Sequence, residues 1–442
     1  MKVKVRGFLI VIVSILLLLI IAFLVFMLTF DANRYKGALI TKLEQAIDKN
    51  VKIDDISLNP WQGIAVKIRG ISIKDTDKTW EAALLKIANL DVSVKILPLI
   101  KKDIQIQNIS LDSLMLDFSS DSFKLPISKS VSSNNSAGAV AVLGALKFFA
   151  QNIYITNSRI HYRDISQPKP IDLRIDIISA KLKNVSLYGP ANIEARLSIL
   201  GGGITANSPS FKGVLNLKTE CSIGGLSQDN ILKTLKAKGS IGLENGLLEN
   251  MNVLRVALDK LNMLPGLVRR LKDNLPEKYN ELLKENHTAF KPMNADFEIK
   301  TGRLFFEKLI IESDTFYLVS KGSIGMDGSL YIGSNLFIPQ GLSDAFTNAA
   351  PELEFLKDDK GIITMPLDIK GKIPNISVMP NLDYCLQKLA VSKGQEILDR
   401  IFKGKGAQPD EEGKGSSGQK PVETIIRGVL DIFTKPSSQE GK

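Results

Sequence analysis

Along most of the chain apolar and polar residues alternate one by one, as in Ile64-Ala65-Val66-Lys67-Ile68, Val92-Ser93-Val94 and Ile104-Gln105-Ile106. Successive side chains of a strand point to opposite faces, so this period of two, with turn residues between runs, predicts antiparallel strands with one apolar face. A four-residue word recurs within the pattern: Asp55-Ile-Ser-Leu58, Gly70-Ile-Ser-Ile73, Asn108-Ile-Ser-Leu111, Asn152-Ile-Tyr-Ile155, Asn184-Val-Ser-Leu187 and Asn375-Ile-Ser-Val378. Longer echoes carry more weight. Gln107–Asp112 (QNISLD) returns 44 residues later as Gln151–Thr156 (QNIYIT), and Lys-Gly-Ser-Ile-Gly stands at 238–242 and again at 321–325, each time read as leading into a glycine turn. Such echoes predict strand and hairpin units laid side by side in a quasi-repeating sheet.

A few stretches break the alternation. Gly7–Phe30 carries no charge over 24 residues, and as a helix it would rise about 36 Å, enough to span a bilayer with some tilt. The run is too long for the apolar region of a cleaved signal peptide and lacks a small-residue cut site, so it reads as an uncleaved anchor. Lys2, Lys4 and Arg6 precede it, which by the positive-inside rule leaves the amino end in the cytoplasm and exports the chain after Phe30. Asn33–Asn50 has apolar residues at helical spacing; it either caps the first strands or continues the anchor helix. Ser119–Gly138 reads as a loop and Val140–Ala150 as a short helix feeding the second QNI strand. Val253 to Leu264 has helical spacing with Asn250 as N-cap and Pro265-Gly266 as a stop, and a second helix over Val268–Glu285 breaks at Pro276. Leu382–Phe402 is amphipathic, as is Val422–Phe433, which either touches a membrane or partner or packs on its own domain.

The resulting plan is a cytoplasmic stub (1–6), a transmembrane helix (7–30), an amino-terminal helix and sheet region (31–225), a carboxyl-terminal module with a helical insertion at 250–290 (226–403), a polar linker (404–421) and a terminal helix and tail (422–442). The expected fold is mainly β: an elongated, curved antiparallel sheet forming a groove, with a few capping α-helices.

Composition narrows the function. The formal charge is +10, from 57 basic against 47 acidic residues, and the two signs are interleaved; that fits solvated strand faces and not a nucleic-acid surface. Cys221 and Cys385 have no CxxC partner, and two unpaired thiols are expected. His161 and His287 lack a second ligand at metal spacing, so no metal or cofactor is expected, and His161 reads as a solvated strand position. Gly413-Lys-Gly415-Ser-Ser-Gly418 fits GxGxxG but lies in the polar linker, without the strand and helix a dinucleotide site needs. No GxSxG, Walker A, HExxH or EF-hand pattern occurs, and the chain is expected not to be an enzyme.

With the anchor, Val51–Leu58 (VKIDDISL), Gly63–Ile73 (GIAVKIRGISI), Gly239–Gly246, Asp296–Leu304, the hairpin Gly322–Gly328 and Pro366–Pro380 in order, the chain resembles the AsmA family of Gram-negative envelope proteins over nearly its full length. The resemblance implies a long, bent sheet with an apolar groove, anchored in the inner membrane and associated with phospholipid movement to the outer membrane or with outer-membrane protein assembly. About 15 to 20 strands at about 4.8 Å would give a sheet of roughly 70 to 95 Å. In that frame each repeated strand adds a rung. Ile109, Leu111, Leu114, Leu116 and Phe118 form one, Ile153, Ile155, Ile160 and Tyr162 the next, and acyl chains of phospholipids lie on them. The same residues would equally serve an ordinary sandwich core. Two functions stand: a lipid-binding conduit, or an anchored adaptor engaging outer-membrane assembly proteins.

Overall fold

The structure is a computed structural model. It describes residues 31–388 except 60–63, 96–97, 99–104, 120–148, 165–169, 187–188, 204–206, 223–232, 260–266, 373–374, 382 and 386. The anchor Gly7–Phe30, the topology residues Lys2, Lys4 and Arg6, the linker and the terminal helix lie outside the described residues. Among the described residues no helix is long and apolar enough to cross a membrane.

Among the described residues seventeen strands form one sheet, mainly antiparallel, accompanied by few helices. The chain divides into two compact units, Met1–Leu243 with Phe297–Gly302, and Glu244–Asp296 with Arg303–Lys442.

In the first unit a 3-10 turn, Ala32–Tyr35, leads into helix α1 (Lys36–Ile47). It is followed by β1 (Asn50–Lys52), β2 (Asp55–Asn59), β3 (Ile64–Lys74), β4 (Leu85–Val94), β5 (Ile106–Ser119), β6 (Phe149–Asp164), β7 (Ile171–Ser186), β8 (Ala191–Gly203) and β9 (Ser210–Ser222). β1 and β2 both pair with β3, and from β3 to β9 each strand pairs with the next. The expectation of uniform antiparallel pairing fails at one place: β5 and β6 are parallel. The two QNI copies lie in register in this pair. Asn108 faces Asn152, Ile109 faces Ile153 and Leu111 faces Ile155 at a constant offset of 44, and Asn152 Nδ2 donates to Asn108 Oδ1 at 3.0 Å. Like side chains stack on like only when the two copies run the same way. The helix expected over Val140–Ala150 ends differently too, since Phe149 and Ala150 already belong to β6; the rest of it, and residues 120–138 of the expected loop, lie outside the described residues.

The division between units runs through β10 (Lys236–Glu249) and β12 (Met293–Lys300). In the second unit α2 (Val253–Asp259), α3 (Leu267–Asn274) and α4 (Glu277–Lys284) precede β11 (His287–Phe290). After β12 come β13 (Arg303–Glu312), β14 (Tyr317–Gly325), β15 (Ser329–Ile338), α5 (Gln340–Ala349), a 3-10 turn (Pro351–Leu356), β16 (Ile363–Lys372) and β17 (Asn375–Pro380). The cap of α2 is Asn252 and not Asn250. Asn252 Oδ1 accepts from Arg255 N at 2.9 Å, whereas Asn250 sits at φ 56°. The Pro276 break falls between α3 and α4 as expected. Of the two Lys-Gly-Ser-Ile-Gly copies, only the second leads into a turn, at Met326–Gly328; the first continues through β10, where Asn245 takes φ 52° and the strand carries on.

This second unit has a closed core. Leu254, Leu271, Leu336, Phe346, Leu353 and Met365 are all at or below 1% exposure, with α2, α3, α5 and the 3-10 turn laid on β14–β16. Cys385 is buried in the same cluster, and its thiol is pushed up to about 11 by burial. Both cysteines are free.

Candidate functional site: an apolar face across β3–β9

Directly opposed residues of neighbouring strands share a face, so the registers of the first unit can be read as rows. Val66, Val92, Ile109, Ile153, Leu182 and Ile193 stand side by side across β3–β8. The next row is Ile68, Leu90, Leu111, Ile155, Ala180, Ala195 and, on β9, Leu217. Ile73, Leu85, Leu116, Ile160, Ile175 and Ile199 form another, and Phe118, Tyr162, Leu173, Gly201 and Phe211 the last.

Between the second and third of these the alternation has to slip, because Leu111 and Leu114 differ by three and cannot share a face of a regular strand. The slip is built into the backbone. Gly70, Ser113 and Asn157 take φ 63°, 56° and 49°. The ladders pass over these positions: partners step from Arg69–Asn89 to Ile71–Ile87, from Ile87–Leu114 to Asn89–Asp112, and from Thr156–Ser179 to Ser158–Ile177. In β3, β5 and β6 a left-handed residue drops out of the ladder and returns the residues after it to the same side. Packing agrees, since Ile68 and Ile71, Ile87 and Leu90, and Leu111 and Leu114 all join one hydrophobic cluster. The row thus restored is Ile71, Ile87, Leu114, Ser158, Ile177, Leu197 and Leu215. Its one polar member, Ser158, is 2% exposed; Leu114 N donates to its Oγ at 3.0 Å, and that hydroxyl donates to Thr156 O at 2.7 Å.

On the opposite side the slip is held by Asp112. Thr156 Oγ1 and Asn157 Nδ2 donate to its Oδ1 at 3.0 and 2.9 Å, while Asn89 Nδ2 and Ser113 Oγ reach its Oδ2 at 3.3 Å. The donors, led by Asn157, hold its carboxyl below the usual range. This face is charged. Arg159 and Arg174 pair with Asp176, and Arg163 with Asp172. His161 is not the solvated position the alternation implied. Its side chain is 19% exposed, with Nδ1 3.2 Å from Asp117 Oδ2 and Nε2 3.1 Å from Asp172 Oδ1, bridging β5 to β7. Among the described residues no group of three or more His, Cys, Asp or Glu is placed to hold a metal ion.

The apolar face is covered unevenly. Over β1–β5, Leu39, Ile40, Leu43 and Ile47 of α1 pack onto the cluster that includes Val51, Ile56, Ile71, Ile87, Leu111 and Leu114. No described side chain of β6–β9 belongs to that cluster or to the core of the second unit. All nine residues expected to form rungs, Ile109, Leu111, Leu114, Leu116, Phe118, Ile153, Ile155, Ile160 and Tyr162, are half-buried. The register sets Leu116 beside Ile160, and Phe118 and Tyr162 touch with ring centroids 5.2 Å apart. Sequence reasoning missed the continuation through Ile175, Ile177, Leu197, Ile199, Leu215 and Leu217. The alternation of Ile171–Ile177, Ile193–Ile199 and Val214–Leu217 carried that signal.

Residues 1–195 match the model of the AsmA family, which supports an AsmA family protein; the matched span ends inside β8, ahead of the carboxyl-terminal similarities. No curated protein matches the chain.

Proposed function

Taking the chain as an AsmA family protein, we propose that it is a non-enzymatic protein of the cell envelope, held in the inner membrane by Gly7–Phe30. In this reading its bulk is periplasmic, phospholipid acyl chains bind on the apolar face of β6–β9, and the protein aids lipid movement between inner and outer membranes. One observation carries the reading: the apolar rows run on past the helix-covered cluster onto β6–β9, where neither packed cluster uses them. Burial of an acyl chain gains about 0.8 kcal/mol per methylene, so such a face retains lipid with no catalytic group. The opposite face, with Arg159, Arg163, Arg174, Asp172 and Asp176, keeps the strands in water.

The test places a photo-reactive amino acid in the full-length chain in living cells, once at Leu197 on the apolar face and once at Lys181 on the charged face. Phospholipid adducts at 197 and none at 181 are expected. Adducts to an envelope protein at 197, without lipid, would replace the conduit by the adaptor reading.

A further inference from the structure

The apolar rows are continuous from β3 to β9, yet one part already has an occupant belonging to the chain. Helix α1 lies on the β1–β5 part, with Leu39, Ile40, Leu43 and Ile47 filling the place a hydrocarbon chain would take. An occupant of this kind is either a lid that yields to ligand or a wall that does not, and the difference lies in how its ends are tied.

Both ends are tied to the strands beneath. Before the first turn, Asn33 Nδ2 donates to Asp55 Oδ1 at 2.8 Å while Asn33 Oδ1 accepts from Ile56 N at 2.9 Å, so this one side chain holds both a side chain and the backbone of β2. Lys36 Nζ donates to Asp54 O at 3.0 Å. At the far end Val51 N donates to Glu44 Oε1 at 2.9 Å, and Lys49 is ion-paired with Asp75. The helix stops at Asp48, whose φ of 54° turns the chain directly into β1. A lid needs a free end or a hinge with few contacts, and α1 has neither. The row of left-handed residues matters here as well: it brings both Leu111 and Leu114 of β5 under the helix cluster, and among the described residues the part covered by α1 ends at β5.

We infer that α1 is a fixed stop for acyl chains. It confines lipid to β6–β9, so that lipid reaches the face from the β6–β9 side and not through the strands nearest in sequence to the anchor. This rests on the lipid reading above.

The test uses the full-length chain in its membrane, with a photo-reactive residue at Leu90, beneath α1, or at Ile175, outside the cluster that α1 covers. Each is made in the parent and in an unlatched variant carrying Asn33→Ala and Glu44→Ala. In the parent, phospholipid adducts at 175 are expected to exceed those at 90 by about tenfold or more. In the unlatched variant adducts at 90 rise several-fold while those at 175 stay constant. A cysteine placed by Leu90→Cys, protected from thiol reagents in the parent and modified in the unlatched chain, reports release of the helix independently of lipid. Comparable adducts at 90 and 175 in the parent would make α1 a lid and overturn the stop. Release of the helix without lipid reaching 90 overturns it equally. Absence of adducts at both positions overturns the lipid reading itself.

Discussion

Asp112 is the residue on which the slip in alternation is pinned. It takes four side-chain donors from three strands on the charged face, opposite the apolar rows. Those donors favour the ionised carboxylate, which places the folded pKa below the ordinary 3.8. A depressed carboxylate stabilises the fold at pH above its unfolded value, and that contribution is lost as pH falls from 3.8 through the lower folded value. The expected outcome is that Asp112→Asn melts lower than the parent near neutral pH, and that the gap closes on acidification below pH 3.8. Thermal melts of both proteins across that range check it. A gap independent of pH would mean that Asp112 acts through its shape and not its charge.

At the scale of elements, the register between β5 and β6 and the shared slip are one device. Ser113 and Asn157 are separated by the same 44 residues as the QNI copies, and both adopt positive φ. Asparagine tolerates that conformation, serine less so, and a β-branched residue hardly at all. Ser113→Val is therefore expected to cost about 1–3 kcal/mol in denaturant unfolding, whereas Ser113→Gly leaves stability unchanged or slightly raised. Equal losses from both would show that the hydroxyl contact with Asp112 matters and the backbone does not. The same device marks where the sequence was legible. Alternation revealed β3–β5 and their inward residues, and the repeated QNI word announced that two strands stand together. Neither revealed that the two run parallel, because pairing direction depends on how the intervening chain returns and leaves no trace in local alternation. Nor did the word reveal the slip, since Ser113 carries no glycine signature; only the three-residue step from Leu111 to Leu114 hinted at it. Helix α5 was missed for a related reason: Gln340–Ala349 is short and begins after Pro339, and its place is fixed by burial of Leu342 and Phe346 against β14–β16 and not by local propensity.

For the molecule as a whole, the two units use apolar residues in different ways. The second seals them under helices until Leu336 and Phe346 are at 0% exposure. The first, beyond the reach of α1, leaves Ile175 and Leu197 half-buried on a face that joins neither packed cluster. A polar substitution should therefore have opposite consequences in the two places. Leu336→Glu buries an unpaired carboxylate and is expected to cost more than about 4 kcal/mol, enough to unfold its unit. Ile175→Glu combined with Leu197→Glu leaves both carboxylates within reach of water, so circular dichroism melts should stay close to the parent. Phospholipid recovered with the purified full-length chain should fall to background in that double variant, because two charges then stand in adjacent rows where methylenes would lie. Unfolding of the double variant to the same extent as Leu336→Glu would show that the β6–β9 face is a closed core, and the lipid-binding reading would fall with it.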